Sequence, residues 1–315
     1  MMKVQPNIVT ISRHVPEGHA QPFRDCPVCG STQPRRQVGV VQSDPTIGLL
    51  RSSRCRAVSA SHLPTPAFLA DYYRNVFSDL YSPYNQGHEH DITFSDPGRF
   101  VRHLLRDLKL AVPAAGQRVR IIDFGGGDGT LSVMLAQQLA GAAGIDIVIV
   151  DYGAKVVAAP SERITVTKVA TLDGATQAAD IVLASASIEH VGHAEPVIRK
   201  LLSLLKPGAW FYARTPYIVP LKRLVRSIDI GYPAHVHDMG LDFWNRLPQT
   251  FGADLELIRS RPSIVQITFS VSAPRWLVSH ALKFPAQVEC ALFPRKQWLL
   301  WPFVGGWEAM FRRRT

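Results

Sequence analysis

The chain has 315 residues, of which 46% are hydrophobic and 19% are charged. This composition can bury a sizeable core, so it excludes a disordered chain, a coiled coil and a collagen-like repeat. We see no secretory leader and no run of the roughly 18 apolar residues that cross a membrane, and we expect a cytoplasmic protein.

The net charge of +10 comes from the two ends, because residues 63–274 carry 20 basic and 20 acidic side chains. A neutral body makes nucleic acid an unlikely partner, while the basic ends either meet phosphate or an anionic surface or are simply solvated.

The first 62 residues are rich in Pro, Arg, Ser and Cys and show little hydrophobic periodicity. We expect them to form a small irregular module. Three of the four cysteines lie here, at Cys26, Cys29 and Cys55, which is more typical of a metal site than of a disulfide framework. Residues 63–110 are predicted to form a helical lead-in, with one helix beginning near Pro97.

Residues 111–315 are predicted to form the main domain, because short apolar strands alternate there with helical patterns. Continuous apolar strands are typical of a parallel sheet that helices cover on both faces, so the pattern predicts an α/β fold with a doubly wound sheet. Strands are expected at 119–124, 145–150, 164–169, 180–186, 209–214, 264–271 and 307–312, with a helix from Leu131 and another from Pro196.

An aromatic insertion at 273–305 stands apart from this alternation. Its Trp, Phe and Leu residues lie beside Arg and Lys, which fits a helical lid packed on the core, a dimer face or a segment on a membrane surface. The oligomeric state stays open.

A glycine loop follows the first predicted strand, from Gly125 to Gly129, and a helix follows the loop. Asp151 ends the next strand, where an acid can accept both hydroxyls of a ribose, so the pattern predicts an adenosine site. Asp123 precedes the loop, where it would repel a pyrophosphate and suit a ligand that carries an ammonium group. S-adenosylmethionine has such a group and NAD does not. An NAD-dependent oxidoreductase or epimerase stays the first alternative, and a non-catalytic binding protein of the same fold is the second.

The run Asp123-Phe124-Gly125-Gly126-Gly127-Asp128-Gly129, together with Asp151, resembles the first two motifs of class I S-adenosylmethionine-dependent methyltransferases. Residues 180–191 are similar to the family's fourth strand and the loop after it, and residues 205–210 to the entry of its fifth strand. The resemblance covers roughly residues 97–272 and implies a Rossmann-like methyltransferase sheet with S-adenosylmethionine as cofactor.

The same resemblance implies a role for each cofactor-binding position. Asp123 would support the amino-acid end of the cofactor and Asp151 would hold its ribose. Leu172 and Asp173 would flank the adenine, and Ser185 and Ala186 would lie near the sulfonium. The full implied set is Asp123, Phe124, Gly125, Gly126, Gly127, Gly129, Asp151, Leu172, Asp173, Ser185 and Ala186.

Candidate catalytic groups follow the fourth strand, at Glu189 and His190. Methyl transfer from a sulfonium needs alignment and, for a hydroxyl acceptor, removal of a proton. His190 is the first choice because its ordinary pKa lies near neutrality. His237 belongs to a second cluster, 232–238, which resembles the region that closes over the acceptor in related glycan and secondary-metabolite methyltransferases; its His-x-His-Asp run can also bind a metal. We therefore expect a sugar, glycan or other small-metabolite acceptor, as in polysaccharide biosynthesis.

The segment Cys26-Pro27-Val28-Cys29-Gly30 resembles one half of a zinc ribbon, which some bacterial sugar and antibiotic methyltransferases carry at the N-terminus. Cys55 lies where the second half should begin, but Val58 occupies the position of its partner and His62 has the wrong spacing. The resemblance implies a structural zinc on an incomplete ligand set, Cys26, Cys29 and Cys55.

Overall fold

The computed structural model of the chain describes residues 13–73, 75, 97–108, 117–139, 144–153, 155–224, 230–263, 273–293, 301 and 303–315. Its strands are β1 (Ala20–Pro22), β2 (Arg35–Ser43), β3 (Thr46–Ser52), β4 (Val58–Ala60), β5 (His62–Pro64), β6 (Val119–Phe124), β7 (Ile145–Val150), β8 (Ile164–Val169), β9 (Ala179–Ser185), β10 (Leu205–Tyr217), β11 (His237–Asp238), β12 (Leu255–Pro262) and β13 (Gly305–Arg313). Its helices are α1 (Pro66–Tyr72), α2 (Pro97–Leu108), α3 (Thr130–Leu139), α4 (Ala194–Ser203), α5 (Val219–Leu224), α6 (Leu241–Phe251) and α7 (Ala273–Leu292), with short 3₁₀ turns at Leu172–Gly174 and Ile188–His190.

The larger sheet has seven strands in the order β12-β13-β10-β9-β6-β7-β8. The five strands β6 to β10 pair in parallel, whereas β13 pairs antiparallel with β10 and β12 pairs antiparallel with β13. Successive side chains of β6 point to opposite faces, and Ile121 and Ile122 are both fully buried, each in a different core cluster. The structure therefore confirms the α/β fold with a Rossmann-like parallel sheet, and it adds an antiparallel pair at one edge.

The edge of this sheet differs in part from the expectation. β13 confirms the predicted strand at 307–312, while the predicted strand at 264–271 lies outside the described residues. The edge strand is β12, whose apolar residues alternate with charged ones, unlike the continuous apolar strands at the centre. Such mixed composition is normal for an edge strand and gives a weaker pattern than a buried strand.

The N-terminal segment is more regular than expected. β2, β3 and β4 form an antiparallel meander, and β11 completes a four-stranded sheet in the order β11-β4-β3-β2. β1 pairs with β5, and β5 begins at His62, next to the predicted boundary. Register shifts in β2 interrupt the alternation of polar and apolar residues, so the sequence shows little periodicity there. The N-terminal sheet also packs Val58 and Ala60 in one cluster with Tyr232 and Val236, so distant segments share its core.

The helix α7 forms most of the aromatic insertion. Ala286 packs in the main core, and α7 contacts the edge strand β12. Phe284, Val288 and Leu292 recur every four residues and are exposed, Phe284 by 63% and Leu292 by 67%. None of the described helices is long and apolar enough to cross a membrane.

Candidate functional site

The glycine loop between β6 and α3 has a backbone that only glycine adopts readily. Gly125, Gly127 and Gly129 have φ angles of 69°, 60° and 87°. A Cβ on Gly125 would lie 2.4 Å from the Cβ of Ser187, and one on Gly129 would lie 2.2 Å from Cδ1 of Ile149. The loop therefore packs closely against Ser187 and Ile149, and it exposes main chain without side chains at the carboxyl end of β6.

Asp123 lies beneath this loop. Its side chain is buried, and a Cβ on Gly126 would lie 2.5 Å from its carboxylate. Burial raises the pKa of the Asp123 carboxyl to about 6. Its Oδ2 is buried with no hydrogen-bond partner among the residues that the structure describes. Since buried acceptors are nearly always satisfied in folded proteins, a ligand donor is the simplest partner for this oxygen.

Asp151 joins the loops that follow β6 and β7. Its Oδ2 accepts a hydrogen bond from the Gly127 amide at 3.1 Å, and its Oδ1 accepts one from the Gly153 amide at 2.8 Å. Lys168 donates to the Gly127 carbonyl at 2.6 Å, with its Nζ 3.8 Å from Asp151 Oδ1. Each carboxylate oxygen accepts more than one hydrogen bond, so Asp151 retains capacity for a ribose hydroxyl.

The other predicted cofactor residues lie around the same edge of the sheet. Ser185 ends β9, and its Oγ accepts a hydrogen bond from Nε of Arg214 at 3.1 Å. Ala186 has a φ of 55°, a left-handed conformation that costs a non-glycine residue about 1 kcal/mol and is common at ligand sites. Leu172 is buried in the main core and Asp173 is exposed on the same turn. Their contact with adenine stays a prediction, as does that of the half-buried Phe124.

Two residues at this edge were not among the sequence-predicted set. Tyr152 directly follows Asp151, is 76% exposed and lies 6.2 Å from the ring of Tyr73, centroid to centroid. Ser187 lies against Gly125, and its buried Oγ has no hydrogen-bond partner in the described part of the chain. The sequence did contain a signal for Tyr152, because it is an aromatic residue directly after Asp151, the predicted ribose-binding residue. Nothing local in the sequence pointed to Ser187, because its place depends on β9 lying beside β6.

His190 and Glu189 lie in the 3₁₀ turn after β9, where Glu189 is buried and His190 is half-buried. Nδ1 of His190 is 3.0 Å from the carbonyl oxygen of Ala234 and 3.2 Å from the hydroxyl of Tyr73. Burial, and then the neighbouring His235, lower the pKa of His190 to about 3, so the ring is neutral at pH 7 but is a weaker base than the expected pKa near neutrality would make it. When Nδ1–H donates to the Ala234 carbonyl, Nε2 carries the lone pair that can accept a proton.

The structure divides the predicted cluster at 232–238. His235 lies with Glu189 and His190, where the three side chains offer potential ligand atoms within 4.8 Å of one another. His237 points instead into the contact with the N-terminal sheet, where Nδ1 is 3.0 Å from Ser59 Oγ and Nε2 is 2.8 Å from the Val191 carbonyl. With both nitrogens engaged, His237 has no lone pair for a substrate proton, and we carry His190 forward as the candidate base.

The three cysteines of the N-terminal segment come together. Sγ of Cys26 is 3.7 Å from Sγ of Cys55, and all three Sγ atoms lie within 4.8 Å of one another. All three are buried free thiols. Hydrogen bonds from Cys29 and Cys55 lower the pKa of the Cys26 thiol. His62 is not part of this cluster, since its Nδ1 is 2.8 Å from Ser61 Oγ in another part of the module.

The glycine-loop site lies within the part of the chain that one protein-family model matches. The family model described as a methyltransferase domain matches residues 98–256, half of the chain. No curated protein sequence matches. Similar solved structures include the plantazolicin methyltransferase BpumL with SAH (15% identity, 78% of this chain, 94% of that chain, TM-score 0.45). Others are a protein assigned as a sarcosine dimethylglycine methyltransferase from Galdieria sulphuraria (16%, 69% and 86%, 0.42) and the 4+2 cyclase SpnF (15%, 69% and 80%, 0.42).

At these identities the solved structures carry no information on the acceptor. The family match is different, because residues 98–256 include the glycine loop, Asp151 and His190 and extend through the parallel strands β6 to β10. The chain belongs to the methyltransferase-domain family.

Proposed function

We propose that the protein is an S-adenosylmethionine-dependent methyltransferase that methylates a hydroxyl group on a sugar, a glycan or another small metabolite. The observation that carries the cofactor assignment is the buried Asp123 carboxylate, whose Oδ2 lies at the glycine loop without a described partner. The ammonium group of S-adenosylmethionine would donate to this oxygen, and a charge-assisted hydrogen bond in a buried place is among the stronger ones.

The neighbouring residues support the same cofactor. Asp151 would accept the ribose hydroxyls, and the exposed ring of Tyr152 offers an apolar face to the base that follows the ribose. Nothing in the described part of the chain lies within 4 Å of the position that a Cβ on Gly127 would take, so a ligand can approach the main chain there without meeting a side chain. Bound S-adenosylmethionine supplies an activated methyl carbon to this site.

The acceptor side rests on His190. Its neutral ring would take the proton from an acceptor hydroxyl as the oxygen attacks the methyl carbon, and the carbon–sulfur bond breaks to leave S-adenosylhomocysteine. The Ala234 carbonyl can only accept a hydrogen bond, so it would keep the proton on Nδ1 of His190 and leave the lone pair on Nε2. The sugar or glycan identity of the acceptor rests on the sequence resemblance.

A methyl-transfer assay tests this proposal. Purified protein would be given S-adenosylmethionine with a tritiated methyl group and a panel of nucleotide sugars and small hydroxylated metabolites. We expect transfer to at least one of them, and we expect His190→Gln to lower kcat by about a hundredfold or more without weakening cofactor binding. The matched control His14→Gln changes an exposed histidine in the N-terminal segment. Cofactor binding without transfer to any acceptor would instead support a non-catalytic binding protein.

We also propose that Cys26, Cys29 and Cys55 hold a structural zinc ion. The 3.7 Å between Sγ of Cys26 and Sγ of Cys55 fits tetrahedral coordination, because zinc–sulfur bonds of about 2.3 Å place two ligands about 3.8 Å apart. Three thiols without a disulfide are a suitable donor set for zinc, and a water molecule or another donor would complete it.

Metal analysis tests the zinc proposal. We expect about one zinc per chain in protein purified without chelator, and loss of the zinc in Cys55→Ser. Cys290→Ser is the matched control and should keep the metal. Wild-type protein that is reduced, folded and free of zinc would refute this proposal without touching the methyltransferase assignment.

A further inference from the structure

A cavity of about 520 Å³ opens where α5 meets the N-terminal sheet, far along the chain from the glycine loop. Four arginine side chains line it, together with Ser52 and Ser53. The described residues at its wall include no carboxylate. We call it the arginine cavity; its four arginines are Arg36, Arg51, Arg56 and Arg223.

The fold itself brings these charges together. Arg36 in β2 and Arg51 in β3 lie directly opposite each other in the antiparallel register, so both side chains emerge on the same face. Like charges at directly opposed positions destabilise a sheet. Arg56 joins them from the turn after β3, with a left-handed φ of 67°, and Arg223 joins them from α5. A guanidinium cannot lose its proton to relieve the repulsion.

The surrounding protein neutralises this charge only in part. The nearest ion pair joins Arg56 Nε to Asp242 Oδ2 at 3.9 Å, in a half-exposed position. The buried Asp238 attracts Arg51 and Arg223, but burial raises its pKa to about 7, so it neutralises them only in part at pH 7. Its Oδ2 also accepts the amides of Ile218 and Val219.

Arg51 has a hydrogen-bond donor that lacks an acceptor in the part of the chain that the structure describes. Its Nε is buried and has no hydrogen-bond partner among the described residues. Burial, and then repulsion from Arg51 and Arg36, lower the pKa of Arg223 below its usual range. A buried donor without an acceptor is costly, and an anion in the cavity would supply both the acceptor and the opposite charge.

We propose that the arginine cavity binds the diphosphate group of a small molecule. Guanidinium forks match phosphate oxygens in pairs, and the four positive charges suit a diphosphate better than a single carboxylate. The volume lies in the range of small-molecule sites, so it admits more than an isolated ion. The group could belong to a nucleoside diphosphate or to a prenyl diphosphate, and both present the same chemistry to the arginines. This inference is independent of the methyltransferase proposal, because no residue of the glycine loop takes part.

Titration calorimetry in phosphate-free buffer at low salt tests this inference. The probes are inorganic diphosphate, uridine diphosphate and farnesyl diphosphate. We expect all three to bind, and the tightest one names the source of the group. Arg51→Gln should weaken binding by about tenfold, since it removes one charge-assisted contact. The matched control Arg163→Gln alters an exposed arginine before β8 and should leave binding unchanged.

Thermal unfolding separates lost binding from lost folding. Without an anion, Arg51→Gln should unfold at the same temperature as wild type or higher, because the opposed positive pair is gone. Added diphosphate should raise the unfolding temperature of wild type and not that of the Arg51→Gln, Arg223→Gln double variant. The inference fails if wild type binds none of the three probes, if Arg163→Gln weakens binding as much as Arg51→Gln, or if Arg51→Gln lowers the unfolding temperature without an anion.

Discussion

Among the described residues, the glycine-loop site contains a buried negative charge without a positive partner, whereas the arginine cavity contains positive charges without a sufficient negative partner. At the loop, the buried Asp123 carboxylate faces bare main chain with an unsatisfied oxygen. In the cavity, Arg36 and Arg51 face each other with an unsatisfied buried donor. Each arrangement costs folding free energy that a ligand of the opposite charge would return. The difference in sign predicts an ammonium-bearing ligand at the first site and a phosphate-bearing ligand at the second.

The largest expected effect lies in the glycine loop. Gly129→Ala should lower the free energy of unfolding by about 3 kcal/mol, because the new Cβ meets Ile149 at 2.2 Å and the φ of 87° disfavours alanine. Gly127→Ala is the matched control, since its Cβ would meet nothing within 4 Å and only the backbone penalty of about 1 kcal/mol remains. Urea denaturation would measure both. Equal losses in the two variants would contradict the close packing of the loop.

A smaller loss is expected where the main domain meets the N-terminal sheet. His237→Ala should cost about 2–3 kcal/mol of unfolding free energy, because it leaves the Ser59 hydroxyl and the Val191 carbonyl without their buried partner. The exposed Gln177 provides the control, since Gln177→Ala should change stability by less than about 0.5 kcal/mol. A stable His237→Ala variant would show that β11 and β4 do not depend on this contact.

The pH dependence of stability distinguishes the neighbours His237 and Asp238. Burial lowers the pKa of His237 to about 4 and raises the pKa of Asp238 to about 7. As the pH falls from 6.5 to 4, the unfolded chain protonates His237 before the folded chain does, which destabilises the fold. Over the same range the folded chain protonates Asp238 first, which stabilises it. The two contributions therefore oppose each other.

Replacing either His237 or Asp238 should reveal the pH dependence of stability that the other residue contributes. In Asp238→Asn, stability should fall by up to about 1.4 kcal/mol per pH unit more steeply than in wild type as the pH drops from 6.5 to 4. In His237→Gln the slope should change by a similar amount in the opposite direction. Urea titrations at several pH values would measure the slopes. Parallel curves for both variants and wild type would mean that neither pKa is shifted.

The smallest expected effect concerns the exposed apolar side chains Phe284, Val288 and Leu292 of α7. Residues 275–315 carry seven basic and two acidic side chains, and Phe284 and Leu292 face outward, so we expect weak binding to anionic lipid vesicles. Phe284→Ser with Leu292→Ser should reduce vesicle co-sedimentation severalfold. The control double variant Asn245→Ser with Gln249→Ser changes exposed uncharged polar residues and should bind like wild type. Binding that is equal on neutral and anionic vesicles would contradict the electrostatic contribution.

The two sites also differ in how far the sequence alone could predict them. Asp123, the glycines and Asp151 lie within one strand–loop–helix–strand unit, so their spacing along the chain predicted their proximity. The opposed pair Arg36 and Arg51 depends on the register of a hairpin that weak periodicity concealed. The same holds for His237, which pairs with Ser59 only because β11 joins a sheet formed by residues 178 positions away. Contacts set by such long-range pairing have no local pattern to reveal them.

Calorimetry with S-adenosylhomocysteine tests the central claim most directly, since this product keeps the ammonium group. Wild type should bind it at pH 7, and affinity should fall below pH 6 as Asp123 takes up a proton. Asp123→Asn should weaken binding by about tenfold or more and remove the pH dependence, whereas Asp254→Asn, at an exposed surface position, should behave like wild type. No binding by wild type, or unchanged affinity in Asp123→Asn, would contradict the account.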